Sequence, residues 1–213
     1  MNTPSLTLYY SPGACSLAPH IVLEELGLPY DTVRVAIAEG THLKPEYLAI
    51  NPRGRLPALA IGKDIVTEAV AILRYLGRLC TEPCLWPGNA LDEARMLSLM
   101  VWLTSTVHIS FAQIWRAGRY SDLTEQHADI QQKGRAEVVK HFAEIEQLFA
   151  ASEHPVAGRL TVADFYLLVF YRWGWRVKLD MSPYVCWSTH TDRMAARPAV
   201  AKVVAREGIQ LRA

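Results

Sequence analysis

The spacing of apolar and polar positions changes character near residue 80. In Ser5–Tyr10, Leu6 and Leu8 alternate with Thr7 and Tyr9, the period-two pattern of a half-buried strand. Pro12-Gly13 breaks that run, and a helix is predicted over about Ser16–Leu26, stopped by Gly27 and Pro29. Tyr30–Val35 reads as a second strand and residues 36–55 as irregular. Pro57–Ile61 and Asp64–Val66 read as a hairpin around Gly62-Lys63. Ala69–Leu79 is helical, with Ala71, Ile72, Tyr75, Leu76 and Leu79 on one stripe. Glu82–Gly88, with two prolines and a glycine, reads as a linker. Beyond it every periodic segment is helical: Leu91–Ala117, Gln126–Ala151, Val162–Val177, Pro183–Ala195 and Pro198–Arg206. The β-α-β then β-β-α order predicts a small mixed sheet with helices, an α/β or α+β domain, followed by an all-helical one.

Composition narrows the function classes. The 213 residues are 51% apolar and 20% charged, enough chain to bury a core without metal or disulfide staples. With 22 basic and 21 acidic residues the net charge is +1, which supplies no basic excess for neutralising nucleic-acid phosphates. No apolar run approaches the roughly 18–20 residues of a membrane span, and the Met-Asn-Thr-Pro-Ser start has no signal-peptide pattern. Cys15, Cys80, Cys84 and Cys186 form no CxxC pair or zinc spacing, and the seven histidines form no HxxxH or HExxH motif. The expectation is a cytoplasmic protein with free thiols, no metal, no nucleic acid and no membrane.

Four junctions could carry chemistry. In Ser11-Pro12-Gly13-Ala14-Cys15-Ser16 a helix begins at or just after a cysteine, where free N–H groups and the helix dipole favour a thiolate. The alternative is a buried, inert cysteine. In Asn51–Leu59 a proline opens a strand after a loop. A cis Leu56-Pro57 bond would turn the Leu56 backbone outward to pair with an extended peptide, whereas a trans bond is an ordinary strand start. Thr67-Glu68 stands at a helix start, which either offers backbone N–H groups to a carboxylate or is only a cap. Thr161 and Asp164, three apart before an apolar run, form a capping box, whose loss at Thr161 costs about 0.5–2 kcal/mol.

Together and in this order, YYSPGACSLAPHI, NPRGRLPAL, TEAVAILRYL, the STVH segment and LTVADFYL resemble the cytosolic glutathione transferases, and within them the bacterial beta class. The resemblance implies a thioredoxin-like domain at residues 1–81 that binds glutathione and a linker at 82–88. It also implies an all-helical domain at 89–213 carrying an electrophile pocket, and a homodimer serving detoxification. It implies that Cys15 contacts the glutathione sulfur, with Ser16 and Tyr10 flanking the site and His108 nearby. The backbone of Leu56, before Pro57, would pair with the cysteinyl part of glutathione. Glu68 and Ala69 would hold the γ-glutamyl end, and Ser105 would lie one turn before His108 on the same face. Phe111, Trp115, Tyr166, Phe170 and Trp173 would line the pocket, with Lys178 in the same region; their other role is plain core packing.

The chain departs from the family pattern in three places. Ala69 stands where a serine hydroxyl usually bonds the γ-glutamyl carboxylate, a loss of about 1.5–3 kcal/mol, or tenfold or more in affinity. The loop Ala36–Lys44 lacks the usual basic residue for the glycyl carboxylate, leaving Lys44 or His42 to replace it, and Val101 stands where some relatives have asparagine. The implied activity is conjugation of the glutathione thiol to small hydrophobic electrophiles. The alternatives are a thiol-disulfide or peroxide reductase acting through Cys15, and a non-catalytic ligand-binding member.

Overall fold

The computed structural model describes residues 4–79 and 84–212. Met1–Thr3, Cys80 and the first two residues of the expected linker lie outside them. Four strands, β1 (Leu6–Tyr10), β2 (Asp31–Arg34), β3 (Ala58–Ile61) and β4 (Asp64–Thr67), form one sheet in the order β2-β1-β3-β4. β1 runs parallel to β2 (Leu8 opposite Thr32) and antiparallel to β3 (Leu8 opposite Leu59), and β3 turns back into β4. The alternation in β1 buries Leu6, Leu8 and Tyr10. Helices α1 (Leu17–Glu25) and α3 (Ala69–Gly77) pack on each other beside the sheet. The segment expected to be irregular contains short 3-10 turns and a one-turn helix, α2 (Pro45–Leu48), whose proline fits the first helical position. The buried stripe of α3 is Ala69, Ile72, Leu73 and Leu76, while Ala71 and Leu79 are exposed, because α3 rolls toward α1.

The rest of the chain is helical: α4 (Ala90–Trp102), α5 (His108–Trp115), α6 (His127–Ala151), α7 (Val162–Arg176), α8 (Val185–Ala195) and α9 (Pro198–Glu207). α4 and α5 are one helix interrupted by a π turn at Leu103–Val107. This helix, Ala90–Trp115, is long and apolar enough to cross a membrane, which corrects the expectation of no such run. Its serines, threonines and histidine interrupt the apolar pattern without adding charge. Met96, Met100, Leu103, Val107 and Phe111 on its inner side are buried in the helical core.

α7 is buried on every side from Val162 to Gly174, as its nearly unbroken apolar sequence requires. It begins at the Thr161–Asp164 capping box, where the Thr161 N–H donates to Asp164 at 2.8 Å. Asp164 also meets His154 Nδ1 at 2.8 Å and His190 Nε2 at 2.9 Å, which ties the start of α7 to α8. The expected linker is partly packed: Leu85 and Trp86 are buried, and Leu85 O accepts from the Val162 N–H. α1 packs on both α7 and α9, so the sheet layer and the helices share one continuous core.

Candidate active site

A cavity of about 560 Å³ opens where the sheet layer meets the helices. From the first layer come the loop after β1 (Ser11 to Cys15), the turns after β2 (Ile37, Ala38, His42) and the loop before β3 (Gly54, Arg55, Leu56). From the helices come His108, Ala112, Trp115 and Arg116 of α5 and its end, Arg119 beyond it, and Trp173 with Arg176 of α7.

The Cys15 loop is gripped from within and without. Ser16 Oγ accepts from the Ser11 N–H and donates to Ser11 O, both at 3.1 Å, and is fully buried. Tyr10 is buried against the His20 ring. Neither lines the cavity, which corrects their expected flanking role: the Ser16 hydroxyl is used to hold the loop, and the Tyr10 ring packs in the core against α1. The Gly13 N–H donates to Glu207 Oε2 at 2.7 Å, and Glu207 Oε1 meets His20 Nδ1 at 2.7 Å. The Gly13 carbonyl accepts from the Trp173 indole at 3.0 Å and from Arg172 at 3.2 Å. Glu207 and Arg172 were not legible as functional in the sequence; the available signal was a charge on an otherwise apolar helix face.

Cys15 Sγ donates to the Leu56 carbonyl at 3.3 Å, across the cis Leu56-Pro57 bond. Burial pushes its pKa up to about 11; its own N–H and Arg116 favour the thiolate but do not compensate, and Glu68 adds to the rise. The expected helix-start thiolate is therefore a neutral thiol. α1 begins only at Leu17, and the protein packed around Cys15 outweighs the nearby N–H groups.

His108 lies edge-on to Trp173, with ring centroids 4.7 Å apart. Burial, reinforced by Arg116, Arg55 and Arg119, lowers its pKa to about 4, so the imidazole is neutral near pH 7. Ser105 is exposed and donates back to Val101 O at 2.8 Å. The π turn widens the helix between Ser105 and His108, so the two do not share the cavity face as normal helical spacing predicts.

Of the expected pocket aromatics, Trp115 and Trp173 line the cavity. Phe111 of α5 and Tyr166 and Phe170 of α7 are fully buried, packed on one another in the aromatic core behind it. Glu68, with φ +71°, is exposed at the start of α3, and Ala69 is buried beside it. Neither belongs to the cavity wall, nor do Pro57, Lys44 and Lys178. His42 does. The feature sequence reasoning missed is the charge of the wall: Arg55, Arg116, Arg119 and Arg176, with no acidic residue among the described residues. Contacts between segments far apart in sequence create that field, so no local motif signals it.

Residues 4–78 match the family model described as glutathione S-transferase, N-terminal domain. The chain is 31% identical over 209 residues to glutathione S-transferase GstA of Escherichia coli O157:H7, covering 96% of this chain and all of that protein. A glutathione transferase homologue from Sulfitobacter, solved with bound glutathione, superposes with a TM-score of 0.89 at 33% identity, over 97% of this chain and 99% of that one. The bacterial beta class glutathione S-transferase of Sphingomonas chungbukensis gives 0.84 at 32% identity, over 96% and 100%.

Proposed function

The chain belongs to the glutathione S-transferase family, and from that premise we propose that it joins the thiol of glutathione to small electrophiles in the cavity between the sheet layer and the helices. The observation that carries this reading is the convergence of Cys15, the Leu56 backbone and His108 on that one cavity. The Leu56 backbone pairs with the cysteinyl part of glutathione. The start of α3 at Glu68 and Ala69 takes the γ-glutamyl end, and His42 or Arg55 takes the glycyl carboxylate. The Cys15 thiol then turns its hydrogen from Leu56 O to the glutathione sulfur, and the neutral His108 offers one ring N–H. Both donors and the arginine field favour the thiolate of glutathione over its thiol. Trp115 and Trp173 supply apolar wall for the electrophile.

The raised pKa of Cys15, which keeps its thiol neutral near pH 7, favours conjugation over the thiol-disulfide alternative, in which Cys15 itself must be the nucleophile. In this reading residues 1–81 bind glutathione and 89–213 supply most of the electrophile wall. The enzyme is a cytoplasmic homodimer; Leu91 and Val101, exposed on the outward side of α4, suit a partner.

Conjugation of 1-chloro-2,4-dinitrobenzene tests the assignment. Cys15→Ala removes a hydrogen bond to a charged sulfur and lowers kcat/KM about tenfold to a hundredfold. Cys15→Ser keeps a donor and retains most of the rate. Fast reduction of a mixed glutathione disulfide that Cys15→Ser abolishes, with conjugation unaffected by Cys15→Ala, would replace this reading by the reductase one.

A further inference from the structure

The four arginines of the cavity wall exceed what glutathione needs. Among the described residues, Arg55, Arg116, Arg119 and Arg176 make no ion pair and no side-chain hydrogen bond, unlike most other arginines of the chain. No aspartate or glutamate among the described residues lines the cavity. The arginines also feel one another: burial first, and then Arg116 and Arg55, depress Arg119, and burial first, then the three arginines together, depress His42 and His108. Like charges gathered without a counter-charge are unfavourable and await an anion.

Glutathione supplies only part of that anion. Its α-carboxylate and ammonium, which offset each other, lie with the γ-glutamyl end toward Glu68, outside the wall. Inside the cavity it brings one glycyl carboxylate and, when ionised, one sulfur. Two negative charges against four guanidinium groups leave about two cations uncompensated. Arg55 directly precedes Leu56, where the tripeptide backbone would run. Arg116 directly follows Trp115, Arg119 lies three residues further on, and Arg176 stands three residues after Trp173, so these three adjoin, along the chain, the apolar wall of the second-substrate side.

Resting on the glutathione reading above, we propose that the second substrate is itself an anion: a flat, apolar electrophile bearing a carboxylate or sulfonate, whose body lies against Trp115 and Trp173 and whose charge is received by Arg116, Arg119 and Arg176. Guanidinium groups suit this role, since their planar forks bind such groups through two parallel hydrogen bonds. Conjugation then leaves the electrophile's charge where it was. Glutathione releases its thiol proton to solvent, the thiolate sulfur attacks the activated carbon, the carbon–sulfur bond forms, and halide departs with its electron pair.

The test uses the full-length protein and two matched pairs of probes. The reactive pair is 4-chloro-3,5-dinitrobenzoate and its amide, each enzymatic kcat/KM divided by the uncatalysed rate with glutathione. The unreactive pair is 3,5-dinitrobenzoate and 3,5-dinitrobenzamide, titrated calorimetrically without glutathione. The expected result is a preference of about tenfold or more for the anion in both pairs. That preference shrinks as salt rises, and collapses toward unity in the Arg116→Gln/Arg119→Gln double variant and partly in Arg176→Gln. Equal treatment of anion and amide by the wild type overturns the proposal, as does a preference the arginine variants leave intact. The unreactive pair reads the anion site even if glutathione fails to bind, so failure of the glutathione reading is seen separately in a titration with glutathione alone.

Discussion

Gly13 is the residue on which the Cys15 loop turns. Its φ of +66° suits glycine, and an added Cβ would lie 2.5 Å from the Arg172 guanidinium. Gly13→Ala therefore strains the backbone and pushes away one of the groups that hold the loop. We expect a loss of about 1–3 kcal/mol in denaturant unfolding, and an unchanged midpoint would contradict this account of the turn. Cys15 carries a second expectation at this scale. With a pKa near 11, its alkylation by iodoacetamide stays slow through pH 7–9 and accelerates only toward strong alkali. Peptide mass spectrometry separates it from the other cysteines of the chain. A midpoint below pH 8 at Cys15 would restore the thiolate that its place before a helix suggests. Cys15, Leu56 and His108, singled out in the sequence, all line the one cavity. The sequence left a thiolate and an inert cysteine both open at Cys15, because burial is a property of the packed whole, whereas helix-end geometry is local.

At the scale of elements, legibility followed the strength of the period. The alternation in SLTLYY and the Gly62-Lys63 turn located β1, β3 and β4, and Gly27 marked the end of α1. The long helix was legible as a whole. Its π turn was not, because one inserted backbone step leaves no residue-type signature, and with it went the shared face of Ser105 and His108. The capping box at Thr161 and Asp164 was legible, but its partners His154 and His190 were not, since they come from other segments. That junction makes stability depend on pH. The hydrogen bond to Asp164 raises the pKa of His154 above its unfolded value, despite some burial. Its contribution is fully present below the ordinary histidine range, about pH 6.5, and is lost as pH rises through the folded value. For Asp164, burial acts upward, but the bonds from His154 and His190 hold its pKa below the usual carboxylate range, so its contribution is lost only as pH falls through that lowered value. The lowered values of His108 and His42 act on the wild type in the opposite direction, so the junction is read as a difference: the thermal midpoint of the wild type minus that of His154→Gln should shrink from pH 6 toward pH 8. A difference that grows over that range would refute the assignment.

The whole molecule places its chemistry at a seam. One layer contributes Cys15 and Leu56, the other His108, the two tryptophans and three of the four arginines, so neither half holds a complete site. The core also crosses the seam through α1, α7 and α9, which fixes the two walls relative to each other. Family, fold and the main motifs were legible in the sequence because strand order, turns and helix starts are encoded locally. The charge of the cavity was not, because Arg55, Arg116 and Arg176 are distant in the chain and meet only when it folds. The central claim is that this seam binds glutathione despite Ala69. Calorimetric titration of the purified protein with reduced glutathione tests it most directly. The account predicts a single site with a dissociation constant between micromolar and low millimolar, weakened about tenfold or more when Arg55 is replaced by glutamine. No heat of binding at millimolar glutathione would contradict it.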